Sequence, residues 1–247
     1  MTKLVAKARK LFKLLRHSDY RRALRTGRVI AVIEHERLLK TLRCATVVDI
    51  GANRGQFAVV ARHCFPQARI LSFEPLAAPA KHFHDALGGD ALVTLQQVAV
   101  GEQPGQATIH VTCADKSSSL LPITKLQTSL YPKSSEVRTE IVPVAPLDAL
   151  IARQQIVAPA LLKIDVQGYE LNTLRGCKTL LGAFHLVYVE CSFLELYEGQ
   201  ALAHEVCSYM GEHGFRLEGV YNLQYDSAGR AIQADFLFAN RTPPVNA

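Results

Sequence analysis

Three short stretches of this 247-residue chain each end an apolar run on an acid, and together they suggest a binding site. The first runs Val47-Val48-Asp49-Ile50 into Gly51-Ala52-Asn53-Arg54-Gly55-Gln56-Phe57. An apolar strand that turns through two glycines into a helix brings backbone close to a ligand. The spacing is Gly51-x-x-x-Gly55, not the G-x-G-x-x-G that seats a pyrophosphate on the helix N-terminus. Asp49 beside the bend would repel phosphate and suit a cationic ligand. S-adenosylmethionine, with its sulfonium and ammonium groups, meets that demand.

The second stretch, Ile70-Leu71-Ser72-Phe73-Glu74-Pro75, places Glu74 at the end of the next strand. A carboxylate there can accept hydrogen bonds from both hydroxyls of a ribose. The third is Leu162-Lys163-Ile164-Asp165-Val166-Gln167-Gly168-Tyr169-Glu170. Lys163 and Asp165 share one strand face by the two-residue period. Burying either charge alone is costly, so they should pair with their surroundings or face a cleft. Glu190 ends the following strand, and open α/β sheets bind ligands at the carboxyl ends of strands.

The elements that must position these residues alternate. Strands are expected at 46–51, 69–74, 92–100, 160–166 and 186–192, and helices at 55–64, 77–87, 170–181 and 200–213. That alternation predicts an α/β fold with a mostly parallel sheet covered on both faces. Two departures stand out. Ala107–Cys113 and Val137–Val144 read as a hairpin inserted before the fourth core strand, joined by a long mobile loop over 114–135. Residues 215–239 read as a second hairpin turning at Asp226-Ser227-Ala228-Gly229-Arg230, closing the sheet with antiparallel strands.

Residues 1–43 hold 13 Lys and Arg against 3 acids, whereas the remaining residues hold 15 against 19. The basic charge belongs to an N-terminal helical extension (1–43), separate from a mildly acidic domain (44–240) and a tail (241–247). An acidic body argues against a nucleic-acid-tracking surface. Within the extension, 3–16 reads as an amphipathic helix with Leu4, Ala8, Leu11 and Leu15 on one stripe, and about 20–43 as a second helix. The first helix either packs on the domain or touches an anionic membrane surface through residues 1–16. No run is long and apolar enough to cross a bilayer, and no secretory signal is seen, so a cytoplasmic location is expected. The six cysteines are scattered and read as reduced, and no spacing suggests a metal site.

Taken together, Val48-Asp49-Ile50-Gly51-Ala52-Asn53-Arg54-Gly55, Phe73-Glu74-Pro75, Val98-Ala99-Val100-Gly101, Ser117-Ser118-Ser119-Leu120 and the stretch Leu162–Glu170 resemble the FkbM family of methyltransferases. The resemblance covers about residues 44–240. It implies a Rossmann-like class I fold with a seven-stranded sheet. It also implies S-adenosylmethionine as cofactor and O-methylation of a sugar, glycan or other secondary metabolite. Cofactor contacts are expected from Asp49, Gly51, Ala52, Asn53, Gly55, Gln56, Phe57, Glu74, Pro75, Val98 and Ala99. Many members carry Glu where this chain has Gln167.

Methyl transfer from a sulfonium is an in-line displacement that rewards orientation, and a hydroxyl acceptor gains from a general base. Asp165 is the first candidate for that base, Glu190 the second and His110 the third. The Ser117–Ser119 segment is a candidate cover over the acceptor. The acceptor-lining residues should come from 112–138 and 191–200. Competing readings are a methyltransferase-like module without catalysis and an NAD-type oxidoreductase.

Overall fold

The apolar runs fold as the strands at the centre of the molecule. The computed structural model describes residues 12–244. In chain order the strands are β1 (Thr46–Ile50), β2 (Arg69–Phe73), β3 (Val93–Gln96), β4 (Ala99–Val100), β5 (Gly105–Thr112), β6 (Glu136–Ala145), β7 (Ala160–Ile164), β8 (Leu186–Ser192), β9 (Phe215–Tyr225) and β10 (Ala231–Asn240). The helices are α1 (Ser18–Thr26), α2 (Glu36–Leu39), α3 (Gln56–Cys64), α4 (Ala77–Leu87), α5 (Lys125–Leu130), α6 (Leu147–Leu150), α7 (Glu170–Gly176), α8 (Lys178–Leu181) and α9 (Ala203–Glu212).

Seven strands form one sheet in the order β3-β2-β1-β7-β8-β10-β9, parallel except for the C-terminal pair. The alternation predicted the parallel part, and seven strands in one sheet are what the family resemblance implied. β1 and β7 are buried at every position, as central strands covered on both faces must be. One apolar cluster fills the face carrying Val48, Leu162 and Val187, and a second fills the face carrying Val47, Leu161 and Tyr188.

The segment expected as one strand over 92–100 divides. Val93–Gln96 joins the large sheet, while Ala99–Val100 turns away to pair with β6. There β4, β6 and β5 make a small second sheet, with β5 and β6 antiparallel as the hairpin reading required. The connection between β5 and β6 is not the mobile loop expected. It contains α5, and its Leu121, Ile123, Leu126, Leu130 and Tyr131 pack around Leu196, Tyr197 and Ile232. Five apolar side chains spaced through a segment rich in serine, threonine and lysine are enough to seat it.

The long helix expected over 20–43 is broken. Gly27 ends α1, with its N–H and that of Val29 both bonded to the Ala23 carbonyl. The chain then runs without regular structure until it re-enters a short helical turn at Ile33. Tyr20, Ala23, Val29, Ala31 and Leu39 are buried in the same cluster as α3 and α4, so residues 12–43 share the core of the sheet domain. Of the expected helix over 3–16, residues 3–11 lie outside the described residues. In the part described, Leu14 is buried while Phe12 and Leu15 are exposed, the reverse of the stripe placed through Leu15. Among the described residues no helix is long and apolar enough to cross a membrane.

Candidate active site

Strand register assembles the site. Phe73, Ile50, Ile164, Val189 and Phe236 are successive partners across five neighbouring strands. The next row, at the carboxyl ends of β2, β1, β7 and β8, therefore reads Glu74, Gly51, Asp165 and Glu190, with Asp235 paired to Glu190 from antiparallel β10. Four carboxylates and a glycine thus border one cleft of about 560 Å³, within the range of small-ligand sites.

Gly51 has a φ of 77°, and a Cβ there would meet the Asp165 carbonyl oxygen at 1.8 Å. The glycine lets the bend pass against the end of β7. Gly55 has a different role from the one expected. Its added Cβ would strike the Phe83 ring of α4 at 2.8 Å, so it serves helix packing and does not line the cleft. Gly51, Ala52, Asn53, Gln56, Phe57, Glu74, Pro75, Val98 and Ala99 line it.

Asp49 does not line the cleft either. It is wholly buried two residues behind the bend, in register with Lys163 on β7. Lys163 Nζ lies 3.1 Å from Asp49 Oδ1, 3.3 Å from the Gly51 carbonyl oxygen and 3.7 Å from Asp165 Oδ2. The Asp49 contact is an ion pair without good hydrogen-bond geometry, since neither carboxylate oxygen has a hydrogen-bond partner. Burial raises the Asp49 pKa, with Lys163 opposing. Burial also works against the Lys163 charge, but Asp49 and Asp165 outweigh it and hold the ammonium protonated. Lys163 does pair with its surroundings, as the cost of burying it alone demanded, with Asp49 as the nearer partner and Asp165 as the farther one.

Glu74 is 5% exposed and is held by the backbone. Its Oε2 accepts from Asn53 N–H and its Oε1 from Leu76 N–H, each at 2.9 Å. Burial nevertheless pushes its pKa up to about 7 against those two bonds. Asp165 keeps 37% of its side chain accessible and accepts from Gln167 Nε2 at 2.7 Å. The same nitrogen donates to Glu190 Oε2 at 2.9 Å, and Gln233 Nε2 donates to Glu190 Oε1. Burial raises the Glu190 pKa well above the usual range, followed by the charges of Asp165, Asp235 and Glu170. Asp235 is pushed up to about 6 by burial, although Asn222 Nδ2 donates to it at 2.7 Å.

The turn after β7 follows from its sequence. Gln167 and Gly168 both take left-handed φ, 56° and 98°. The buried Glu170 carboxylate closes the turn by accepting the N–H groups of Val166 and Gly168, each at 3.1 Å. A Cβ on Gly168 would meet the Tyr197 ring at 2.8 Å. Tyr197, which the sequence did not single out, is the hub of this side. Its hydroxyl lies 3.0 Å from Gln167 Oε1, 3.1 Å from the Ser117 carbonyl and 3.1 Å from the Gln127 Nε2 that donates to it. Ser119 Oγ donates to the Gln167 carbonyl at 2.6 Å. Ser117, Ser118 and Ser119 do border the cleft, as a fixed wall. Arg54 ties that wall to the glycine bend through Asp115, with Nη2 2.6 Å from Oδ2.

The far wall differs from expectation. Residues 114–120 and 130–134 contribute as foreseen, but no residue in 191–200 lines the cleft. Asn222, Gln224, Gln233 and Asp235 of the C-terminal hairpin take that place, together with Val32, Glu34 and His35. His35 Nδ1 lies 3.1 Å from the Tyr188 hydroxyl and 3.6 Å from Asp235 Oδ2. These residues carry no local motif; strand register brings in those of the hairpin, and packing of the N-terminal segment brings in Val32, Glu34 and His35. His110, the third base candidate, is outside the cleft and pairs with Glu136 at 2.7 Å. The fold also gathers His17, Glu36 and His63 at metal-ligand separations that sequence spacing did not reveal. Glu36 is already paired there with Lys13 and Lys40 and accepts from Tyr20, so the cluster is a neutralised ion-pair network.

Comparison with known proteins agrees with this fold. The chain is 28% identical over 167 residues to 2-O-methyltransferase NoeI of Sinorhizobium fredii, covering 62% of this chain and 66% of that one. It is 28% identical over 150 residues to Methyltransferase 1 of Beauveria bassiana, covering 53% and 57%. The match therefore spans about two-thirds or less of these relatives' lengths. A solved structure from Klebsiella pneumoniae, assigned provisionally to the O-methyltransferases, superposes with a TM-score of 0.50 at 14% identity, over 91% of this chain and 90% of that one, and shares the fold. Residues 49–217 match the methyltransferase FkbM domain, and the chain belongs to that family.

Proposed function

We propose that the protein transfers the methyl group of S-adenosylmethionine to a hydroxyl of a polar small-molecule or glycan acceptor, with Asp165 as general base. The family makes the protein a methyltransferase, and S-adenosylmethionine is its cofactor. Bound in the cleft, that cofactor supplies a methyl group on a sulfonium.

The residues present suit such a donor. Each Glu74 oxygen has one backbone N–H bond and a lone pair to spare, which matches a vicinal diol. The backbone from Gly51 to Asn53 borders the cleft where no side chain intrudes at residue 51. Asp49 acts from behind by balancing the Lys163 charge, so that this ammonium does not repel a cationic donor.

The observation that carries the reading is the position of Asp165. It closes β7 in the row between Gly51 and Glu190, borders the cleft and keeps its side chain partly open. A carboxylate so placed can take the proton of a hydroxyl as it attacks. The wall beyond it is made of amides and hydroxyls: Gln127, Tyr131, Asn222, Gln224 and Gln233. The Oε1 atom of Gln127 is buried without a hydrogen-bond partner, an acceptor suited to a substrate hydroxyl. The name of the NoeI relative, a 2-O-methyltransferase, supports an oxygen acceptor.

The test is a screen of free sugars and lipid-linked glycans with isotopically labelled methyl donor, read by mass spectrometry. The reading expects label on a hydroxyl oxygen. Label on nitrogen or carbon, or a protein that binds donor yet methylates nothing across the panel, would overturn it.

A further inference from the structure

The amide of Gln167 has both of its N–H groups committed to carboxylates on different strands. Nε2 is 2.7 Å from Asp165 Oδ1 and 2.9 Å from Glu190 Oε2. Its Oε1 lies 3.0 Å from the Tyr197 hydroxyl, and its backbone carbonyl accepts from Ser119 Oγ. The residue reaches this position from a left-handed backbone, φ 56°, which is unfavourable for a side-chain-bearing residue and must be held by its surroundings. Two acids close enough to bond one amide nitrogen would, without it, hold a proton between them or repel each other. An amide can donate to both and cannot ionise.

We propose that Gln167 is a positioning residue that holds Asp165 and Glu190 as a fixed pair, prevents them from sharing a proton, and links that pair to the wall over the cleft. The titratable groups around the pair are Lys163, Glu170, Asp235, Tyr131, Tyr197 and the buried Cys191 thiol. Only Lys163 among them is cationic, and Asp49 already balances it. The neutrality of residue 167 therefore matters. A carboxylate at that position would put a third acid against two others and force protonation of one. The structural part of this inference stands alone; its catalytic part rests on hydroxyl methylation with Asp165 as base.

The first experiment follows thermal unfolding of the full chain from pH 5 to pH 8 for the parent, Gln167→Glu and Gln167→Glu/Asp165→Asn. A third buried acid has a folded pKa above its unfolded one, so it binds its proton more tightly when folded. The stability linked to it is present at low pH and lost as pH rises through the folded value. The midpoint of Gln167→Glu should fall below the parent by about 5 °C more at pH 8 than at pH 5. Removing one acid in the double variant should recover most of that loss. Parallel profiles for parent and single variant would overturn the inference. So would a double variant no better than the single one, including the case where neither folds.

The second experiment uses an acceptor found by the screen. Gln167→Met should lower kcat about tenfold or more, leave the acceptor KM within about threefold, and move the acid limb of the kcat profile by about one pH unit. A residue that only supports the turn would leave that limb in place. A screen without a hydroxyl acceptor sinks the functional reading and the catalytic part, while the unfolding profiles still decide the structural one.

Discussion

The two sides of the cleft are built on different principles. On the glycine-bend side the carboxylate of Glu74 is fixed by backbone N–H groups only two and 21 residues away in the chain. On the Asp165 side the carboxylates are held by side-chain amides: Gln167 for Asp165, Gln167 and Gln233 for Glu190, Asn222 for Asp235. Backbone donors survive any substitution that keeps the fold. Side-chain donors change with every substitution. The contrast suits a site in which one side binds a constant donor and the other has been adapted to a particular acceptor.

Four substitutions sharpen or break that comparison. The largest effect belongs to Asp165→Asn. It should lower turnover by about a hundredfold or more, the usual range for loss of a general base. Donor affinity should stay within about threefold, as measured by calorimetry with S-adenosylhomocysteine. Undiminished turnover would remove Asp165 from its role and leave Glu190 as the next candidate.

Next comes Glu74→Gln, on the other side. Losing the charge under a diol should weaken S-adenosylhomocysteine binding by about tenfold to a hundredfold, since hydrogen bonds to charged groups contribute roughly 1.5–3 kcal/mol. The pH dependence follows from the Glu74 value of about 7. A diol binds the ionised form, so parent affinity should rise about tenfold from pH 6 to pH 8, and that rise should be absent in Glu74→Gln. A flat parent profile would place the diol elsewhere.

Gly168→Ala should cost about 2–4 kcal/mol of stability by chemical denaturation. Its Cβ meets the Tyr197 ring, and its φ of 98° is strained for alanine. Tyr197→Phe is the mildest change, about 1–2 kcal/mol for the lost hydroxyl bonds among Gln127, Ser117 and Gln167. If Tyr197→Phe proved more damaging than Gly168→Ala, the hydroxyl would matter more than the ring packing.

The same contrast explains what could be read before the structure was known. The glycine bend and the Glu74 strand end are local, so Gly51 and Glu74 were recognisable from residue type and spacing, while Asn53, Gln56 and Phe57 came with the family resemblance; all five border the cleft. Asp165 and Glu190 could be found because each closes an apolar run. Asp235, Asn222, Gln233, Tyr197 and His35 could not, because they enter by register or by packing from segments far away in the chain. Errors on the local side concerned cause. Asp49 and Gly55 are buried for Lys163 and for the Phe83 ring, and a ligand contact and an internal contact read alike in a linear motif. The connection between β5 and β6 was misjudged because its apolar residues are dispersed and show no period until Tyr197 and Ile232 supply a surface for them.

The most direct measurement is calorimetric titration of S-adenosylhomocysteine into the parent protein, Glu74→Gln and Asp165→Asn. The account predicts one site per chain, weakened at least about tenfold in Glu74→Gln and nearly unchanged in Asp165→Asn. No binding to the parent, or equal weakening by both substitutions, would contradict a cleft divided into a donor side and an acceptor side.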